Sequence, residues 1–203
     1  MVFATIERGA KGEGYFAVPT EGSSFFISKE QFVQFNLHIK QELTSEEFFA
    51  LQEKLLATRC RLKALDYLAR REHNRRELAL KLLQKDFPKE IIELQLNRLE
   101  EEHLLSDLRY VQQFIASRQR KNPEGSKLLL MRLQQRGANR QIAQEEVDRW
   151  FSEPNNWREA LEKASERAFK KTGDNREGLI QELQKRGFAY HEITTFLNEK
   201  GED

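Results

Sequence analysis

The feature that most constrains this fold is a pattern that occurs three times, at spacings of 51 and 50 residues. Leucines four residues apart begin it at Leu78, Leu129 and Leu179, and a basic residue follows the second leucine by three positions. Apolar residues at this spacing form one face of an amphipathic helix. Helical patterns also precede and follow each copy. The sequence therefore predicts a mainly α fold of three tandem three-helix repeats, about fifty residues each, stacked into an elongated or curved body.

Each predicted repeat has a turn after its middle helix, at Asp86, Gly137 and Gly187. Glycine readily takes the left-handed conformation that ends a helix, and aspartate takes it at a somewhat higher cost. In the first repeat Asn74 is a candidate N-cap, with Glu77 as its reciprocal partner. These residues predict where the middle helix begins and ends.

The amino-terminal residues show a different pattern, with short β-branched and aromatic segments between turn-forming clusters. A capping box at Ser28 and Gln31 predicts a short helix after them, with Phe32, Val33 and Phe35 directed inward. The sequence thus predicts a small β-meander plus helix that packs on the next helix. The predicted strands are residues 2–6, 15–18 and 25–27, and the predicted turns are residues 9–14 and 19–24.

A long amphipathic helix is predicted from the capping box of Thr44 and Glu47 to about Arg71, with a possible break midway. Cys60 lies among helical leucines and alanines, which predicts a buried, inert thiol. The apolar stripe of this helix comprises Phe48, Leu51, Leu55, Leu62, Leu65 and Leu68. The predicted domains are residues 1–43 for the β-module, and 44–105, 106–152 and 153–203 for the three repeats.

Charge alternates along the chain although the formal net charge is only +1. Leading and middle helices are basic and closing helices are acidic; residues 109–140 carry eight Lys or Arg against one Asp or Glu. One interpretation is ion pairing between neighbouring helices, which contributes little at a surface. The other is a basic ridge that binds a polyanion. The ridge candidates are Arg70, Arg71, Arg75, Arg76, Lys81, Lys85, Arg118, Arg120, Lys121, Lys127, Arg132 and Arg136.

Several classes of function find no support in the sequence. There is no membrane span and no signal-peptide core, and the single cysteine excludes an internal disulfide, so the cytoplasm is the expected compartment. The four histidines are scattered, which predicts no metal site, no cofactor and no enzyme activity. Four aromatic residues could stack on nucleic-acid bases, but their helical spacing favours a core position. They are Trp150, Phe151, Trp157 and Phe169.

Four short motifs follow one another along the chain: Leu68-Ala69-Arg70-Arg71, Arg76-Glu77-Leu78, Leu104-Leu105-Ser106-Asp107 with Arg109-Tyr110, and Ser117-Arg118-x-Arg120. In this order and spacing they resemble the RecX family of bacterial modulators of the RecA recombinase. The resemblance covers about residues 57–200. It departs at Arg132, where the family has Glu, at Ala138, where the family has an aliphatic or aromatic residue, and at the turn Asn122-Pro123-Glu124-Gly125, where the family has a Gly-rich basic turn.

This resemblance implies a non-enzymatic regulator of recombination, DNA repair and the SOS response. Such a protein binds along the groove of the RecA–single-stranded DNA filament, limits its extension or promotes its disassembly, and so lowers RecA ATPase, strand exchange and coprotease activity. The implied partners are the RecA filament and single-stranded DNA, with no membrane, and the protein is expected to be a monomer. Two alternatives stay open: a helix-turn-helix-like DNA-binding regulator and a helical protein-interaction scaffold.

Overall fold

A computed structural model describes residues 2–10, 12 and 14–200. Met1, Lys11, Glu13 and residues 201–203 lie outside the described residues, and with them part of the first predicted turn. The described chain forms ten helices and four strands, which confirms the mainly helical fold. It divides into two compact units: the chain up to Asp66 with Leu82–Gln95, and Tyr67–Lys81 with the chain from Leu96 onward.

The first unit contains an antiparallel sheet of four strands in the order β3-β2-β1-β4. The sequence predicted the first three strands, but it missed β4, whose two residues are too few for an alternating pattern. The Phe3 N–H donates to the Leu43 carbonyl at 2.8 Å, and Ala4 pairs with Leu43 across β1 and β4. The strands are β1 (Ala4–Arg8), β2 (Tyr15–Pro19), β3 (Phe25–Ile27) and β4 (Glu42–Leu43).

Two capped helices belong mainly to this unit, α1 (Lys29–Gln34) and α2 (Ser45–Leu68). The predicted capping box of α1 is confirmed, because the Gln31 N–H donates to Ser28 Oγ at 3.2 Å. Thr44 and Glu47 cap α2 in the same reciprocal manner. Val33 is 77% exposed, so its predicted inward position was wrong. In a helix of only six residues, the spacing of apolar side chains does not show which of them face the core.

The core of the first unit lies between the sheet and the beginning of α2, which runs without a break for 24 residues. Further along α2, Cys60 and Ala64 are buried while Leu62 is 61% exposed, so small residues rather than Leu62 face inward. Burial raises the pKa of the Cys60 thiol to about 11, which agrees with the predicted inert thiol. The buried core residues are Ala4, Ile6, Ala17, Ile27, Leu37, Leu43, Phe48, Leu51 and Leu55.

Eight further helices follow α2, and with it they give three groups of three, as the repeat predicts. The three predicted turn residues all have positive φ: 61° at Asp86, 77° at Gly137 and 89° at Gly187. The predicted left-handed turns are therefore confirmed. The helices are α3 (Arg75–Leu83), α4 (Lys89–Glu101), α5 (Asp107–Lys121), α6 (Ser126–Gln135), α7 (Arg140–Ser152), α8 (Pro154–Thr172), α9 (Arg176–Lys185) and α10 (Tyr190–Glu199).

Each of the last two repeats has its own buried core within the second unit. In the second repeat, Leu129 and Leu133 on α6 pack with Val147 on α7 and with the inner face of α5. In the third, Leu183 on α9 packs with Leu161 and Ile193. None of the helices in the described part of the chain combines the length and apolar character that a bilayer span requires.

Candidate nucleic-acid interface

A groove of about 410 Å³ runs along one side of α5, in the second unit. We refer to it as the α5 groove. Its lining combines cations, aromatic rings and small polar side chains, which is the combination that binds single-stranded nucleic acid. The lining residues are Arg71, Glu72, Tyr110, Gln113, Phe114, Ser117, Arg118, Lys121 and Arg136.

Two aromatic rings one helical turn apart form the floor of the α5 groove. Tyr110 is buried, Phe114 is partly exposed, and the two ring centroids lie 6.4 Å apart in a stacked orientation. The guanidinium carbon of Arg136 lies 5.4 Å from the Phe114 ring centroid, which is a cation–π contact. The groove thus contains the partly exposed ring of Phe114 with a positive charge beside it.

The four cations of the groove differ in whether a carboxylate offsets their charge. Arg71 pairs with Glu77, and Arg118 pairs with Glu124, so these two guanidinium charges are offset by carboxylates. Lys121 and Arg136 are exposed and have no ion-pair partner among the described residues. Because no carboxylate in the described part of the chain offsets them, the charges of Lys121 and Arg136 give the groove most of its positive potential.

Beside the groove, His73 is 2% exposed and its Nδ1 atom lies 3.3 Å from the Glu77 carboxylate. Burial lowers the pKa of His73, which disfavours the charged form of its ring. Glu77 also forms the ion pair with Arg71 and offsets that charge. Among the described residues, no group of three His, Cys, Asp or Glu side chains is placed to hold a metal ion.

Glu124, in the turn between α5 and α6, is the buried centre of a charge network. Its side chain is 1% exposed and forms ion pairs with Arg118 and with Arg132, whose Nε atom lies 3.0 Å away. The Gln119 amide contacts both the backbone N–H and the backbone carbonyl of Glu124. Two of the three departures noted in the sequence, Arg132 and the turn that contains Glu124, thus complement each other, because the carboxylate in the turn neutralises the arginine on the helix.

Removing the charge of this buried carboxylate is expected to destabilise the second unit. Glu124→Gln leaves Arg118 and Arg132 without their counter-charge, and we expect the free energy of unfolding to fall by about 2 kcal/mol, since hydrogen bonds to charged groups contribute at this level. Urea unfolding followed by circular dichroism measures the change. Glu159→Gln, which removes an exposed pair with Lys163, is the control. A loss equal to that of the control would show that the network adds no stability.

Four of the twelve ridge candidates line the α5 groove, and the structure gives the others different surroundings. Arg75 pairs with Glu100, with Nη1 and Oε2 2.5 Å apart, and Arg75 also donates to Asn97 at 2.8 Å. The Lys81 ammonium lies 5.1 Å from the Tyr67 ring centroid.

Of the remaining candidates, two contact other residues of the protein and four are exposed. The aliphatic part of Arg76 packs against Gly137, where a Cβ atom would lie 2.4 Å from Arg76 Cδ. Arg132 belongs to the Glu124 network. Exposed positions are occupied by Arg70, Lys85, Arg120 and Lys127. The single predicted ridge thus contains both charge-offset arginines and exposed cations.

The aromatic floor was not among the residues that the sequence assigned to binding. Tyr110 and Phe114 stand four residues apart on a helix with Arg118 four residues further on, and this i, i+4, i+8 series was the available signal. Among the aromatics considered for stacking, Trp150, Phe151 and Trp157 pack against the repeat cores, as their helical spacing indicated. Phe169 is 50% exposed, so its predicted core position was wrong; it lies near the end of α8, outside the face that packs on α9.

Comparison with known proteins relates the chain to one family. The family model described as "RecX, first three-helix domain" matches residues 60–99. The "Regulatory protein RecX" of Pseudomonas syringae pv. tomato is 39% identical over 148 residues, which cover 70% of this chain and 92% of that protein. That of Pseudomonas fluorescens is 36% identical over 159 residues, or 76% and 98% of the two chains.

Two solved structures have a similar fold. A structure described as "Crystal structure of regulatory protein RecX" has a TM-score of 0.75 at 19% sequence identity, and the match covers 98% of this chain and 100% of that one. RecX from Lactobacillus salivarius has a TM-score of 0.64 at 21% identity, over 71% and 96% of the two chains. At this level of identity the two structures support the fold.

Proposed function

Because the chain belongs to the RecX family of regulatory proteins, we propose that it is a negative modulator of the RecA recombinase. It binds along the groove of the RecA–single-stranded DNA filament and limits filament extension or promotes disassembly. RecA ATPase, strand exchange and coprotease activity fall as a result. The protein acts without enzyme activity of its own, as a monomer in the bacterial cytoplasm, and serves recombination, DNA repair and the SOS response.

The observation that supports this proposal most directly is the α5 groove. Lys121 and Arg136 lack ion-pair partners within the described chain and lie beside the partly exposed ring of Phe114. A single strand presents unpaired bases and phosphates together, so the ring stacks on a base while the two cations contact the backbone phosphates. A duplex hides its bases, which makes this groove better suited to a single strand.

The repeat architecture supports action on a polymer. Each repeat (residues 44–105, 106–152 and 153–203) is a separate site of contact in this proposal. Weak contacts made by linked modules add through effective concentration, so modest affinity at each repeat suffices. Acidic closing helices, such as residues 141–162 with six Asp or Glu against two Lys or Arg, face basic protein loops rather than DNA in this arrangement.

The experiment that tests the proposed function is the single-stranded-DNA-dependent ATPase of RecA, measured with increasing amounts of this protein. We expect inhibition at well below one protein per RecA subunit, because each bound molecule affects the growth of a filament rather than one subunit. Heat-denatured protein at the same concentration is the control. Unchanged ATPase with folded protein in excess over RecA would contradict the proposal.

A further inference from the structure

The two junctions between successive repeats share one polar contact. At the first junction Asn74 Nδ2 donates to the carbonyl oxygen of Arg136 at 3.2 Å. At the second, the Gly125 N–H donates to the carbonyl oxygen of Arg186 at 2.8 Å. In both, the N-cap residue of a middle helix contacts the residue just before the turn glycine of the next repeat. The same kind of hydrogen bond therefore joins successive repeats at both junctions.

Close packing on the turn glycine accompanies that hydrogen bond. A Cβ atom on Gly137 would lie 2.4 Å from Arg76 Cδ, and one on Gly187 would lie 2.5 Å from Leu128 Cβ. Arg76 and Leu128 stand two and three residues after the N-cap of their middle helices. At each junction, a side chain from the beginning of one middle helix thus packs against the turn glycine of the next repeat.

In the first and third repeats, groups that correspond to those of the junctions are exposed. In the third repeat the N-cap residue is Asn175, which is exposed, and its Oδ1 atom accepts from the Gly178 N–H at 2.9 Å. In the first repeat the turn consists of Lys85 and Asp86, which are also exposed. The corresponding N-caps of the first two repeats are buried in junctions. The third repeat therefore has an exposed counterpart of the junction's donor, and the first repeat has an exposed counterpart of its acceptor.

In the first and third repeats, the large and the small residue are also reversed relative to the junctions. Gly178 stands three residues after its N-cap, as Leu128 does at the second junction, while the turn of the first repeat carries the side chain of Asp86 instead of glycine. A side chain on the turn thus meets a glycine on the helix. The charges are complementary as well. If the turn of the first repeat lies on the beginning of α9, Lys85 meets Glu177 and Asp86 meets Arg176, and each pair joins opposite charges.

We propose that a second copy of this chain docks head to tail, with the beginning of α9 of one copy on the α3–α4 turn of the next. The Asn175 amide donates to the carbonyl oxygen of Lys85, and Asp86 packs over Gly178. This is a heterologous contact, so the two faces differ. One hydrogen bond and exposed ion pairs give little affinity, so the protein stays a monomer in dilute solution, and the contact forms only when copies are concentrated or held side by side along a polymer. The formation of this contact along a RecA–single-stranded DNA filament rests on the proposed function.

Cross-linking between two variants that each carry one introduced cysteine tests this docking. Lys85→Cys in one chain and Glu177→Cys in another introduce thiols at exposed positions. Cys60 is fully buried and burial raises the pKa of its thiol to about 11, so the native cysteine does not compete for a short bismaleimide. The matched control mixes Lys85→Cys with Glu166→Cys, another exposed glutamate of the third repeat. Both mixtures are treated as concentrated protein alone and on RecA–single-stranded DNA filaments.

We expect the Lys85→Cys and Glu177→Cys mixture to give about tenfold more covalent dimer than the control mixture, because docking raises the local concentration of the two thiols. Equal yields in the two mixtures would overturn the docking proposal. Co-sedimentation of the same samples separates the two proposals: absence of the protein from the filament pellet contradicts the proposed function, while the yield in concentrated protein alone still decides the docking.

Discussion

Replacing Gly125 with alanine is expected to lower the free energy of unfolding by about 3 kcal/mol. Gly125 has an ordinary φ of −74°, so the cost does not come from its own backbone conformation. A Cβ atom there would lie 2.2 Å from the carbonyl carbon and oxygen of Gly187. Two backbone segments must separate to admit it, and this separation also breaks the hydrogen bond from the Gly125 N–H to Arg186.

Gly178→Ala is the matched control, because it makes the same chemical change near the beginning of α9. The nearest atoms to a Cβ there belong to the Asn175 side chain at 3.2 Å, and alanine favours a helix over glycine. We expect the stability of this variant to stay within about 1 kcal/mol of the parent. Urea unfolding curves of both variants measure the difference. Equal stability of the Gly125→Ala and Gly178→Ala variants would mean that the second junction is not tightly packed.

The second large effect is expected from reversing the two unpaired cations of the α5 groove. Lys121→Glu with Arg136→Glu removes two cations that bind phosphate and adds repulsion, so we expect affinity for the RecA–single-stranded DNA filament to fall about thirtyfold. The log–log salt dependence of binding to single-stranded DNA should become shallower by about 1.4, or about 0.7 for each phosphate that is no longer neutralised. Titration of a fluorescent filament at several salt concentrations measures both quantities.

The control for this variant is Arg140→Glu with Lys185→Glu, which changes the net charge equally at exposed positions outside the groove. A general electrostatic effect would weaken both double variants alike. We expect the control to retain filament affinity within about threefold of the parent. An equal loss in both variants would show that the groove has no special role in binding.

Local sequence signals predicted the repeat and its turns because these depend on few neighbouring residues. Asp86, Gly137 and Gly187 all take the left-handed conformation that their position after an amphipathic helix predicted. The burial of individual side chains was less predictable. Leu62 fits a helical stripe by spacing, yet it is 61% exposed because the long helix α2 presents Cys60 and Ala64 instead.

The candidate site could be predicted only in part, because charge in a sequence does not show which cations are paired. Arg118 and Lys121 stand three residues apart and are equivalent by charge, but Arg118 pairs with a buried carboxylate six residues later. Phe114 fits the apolar pattern of α5, and its contact with a cation depends on Arg136, which follows α6. Such tertiary pairings decide which of the predicted cations can meet a phosphate.

The measurement that tests the central claim most directly is the inhibition of RecA's single-stranded-DNA-dependent ATPase by three proteins in parallel. These are the parent, the Lys121→Glu/Arg136→Glu variant and the Arg140→Glu/Lys185→Glu control. The account predicts substoichiometric inhibition by the parent and the control, and a requirement for about thirtyfold more of the groove variant. Equal inhibition by all three would contradict the role of the α5 groove, and no inhibition by the parent would contradict the action on RecA.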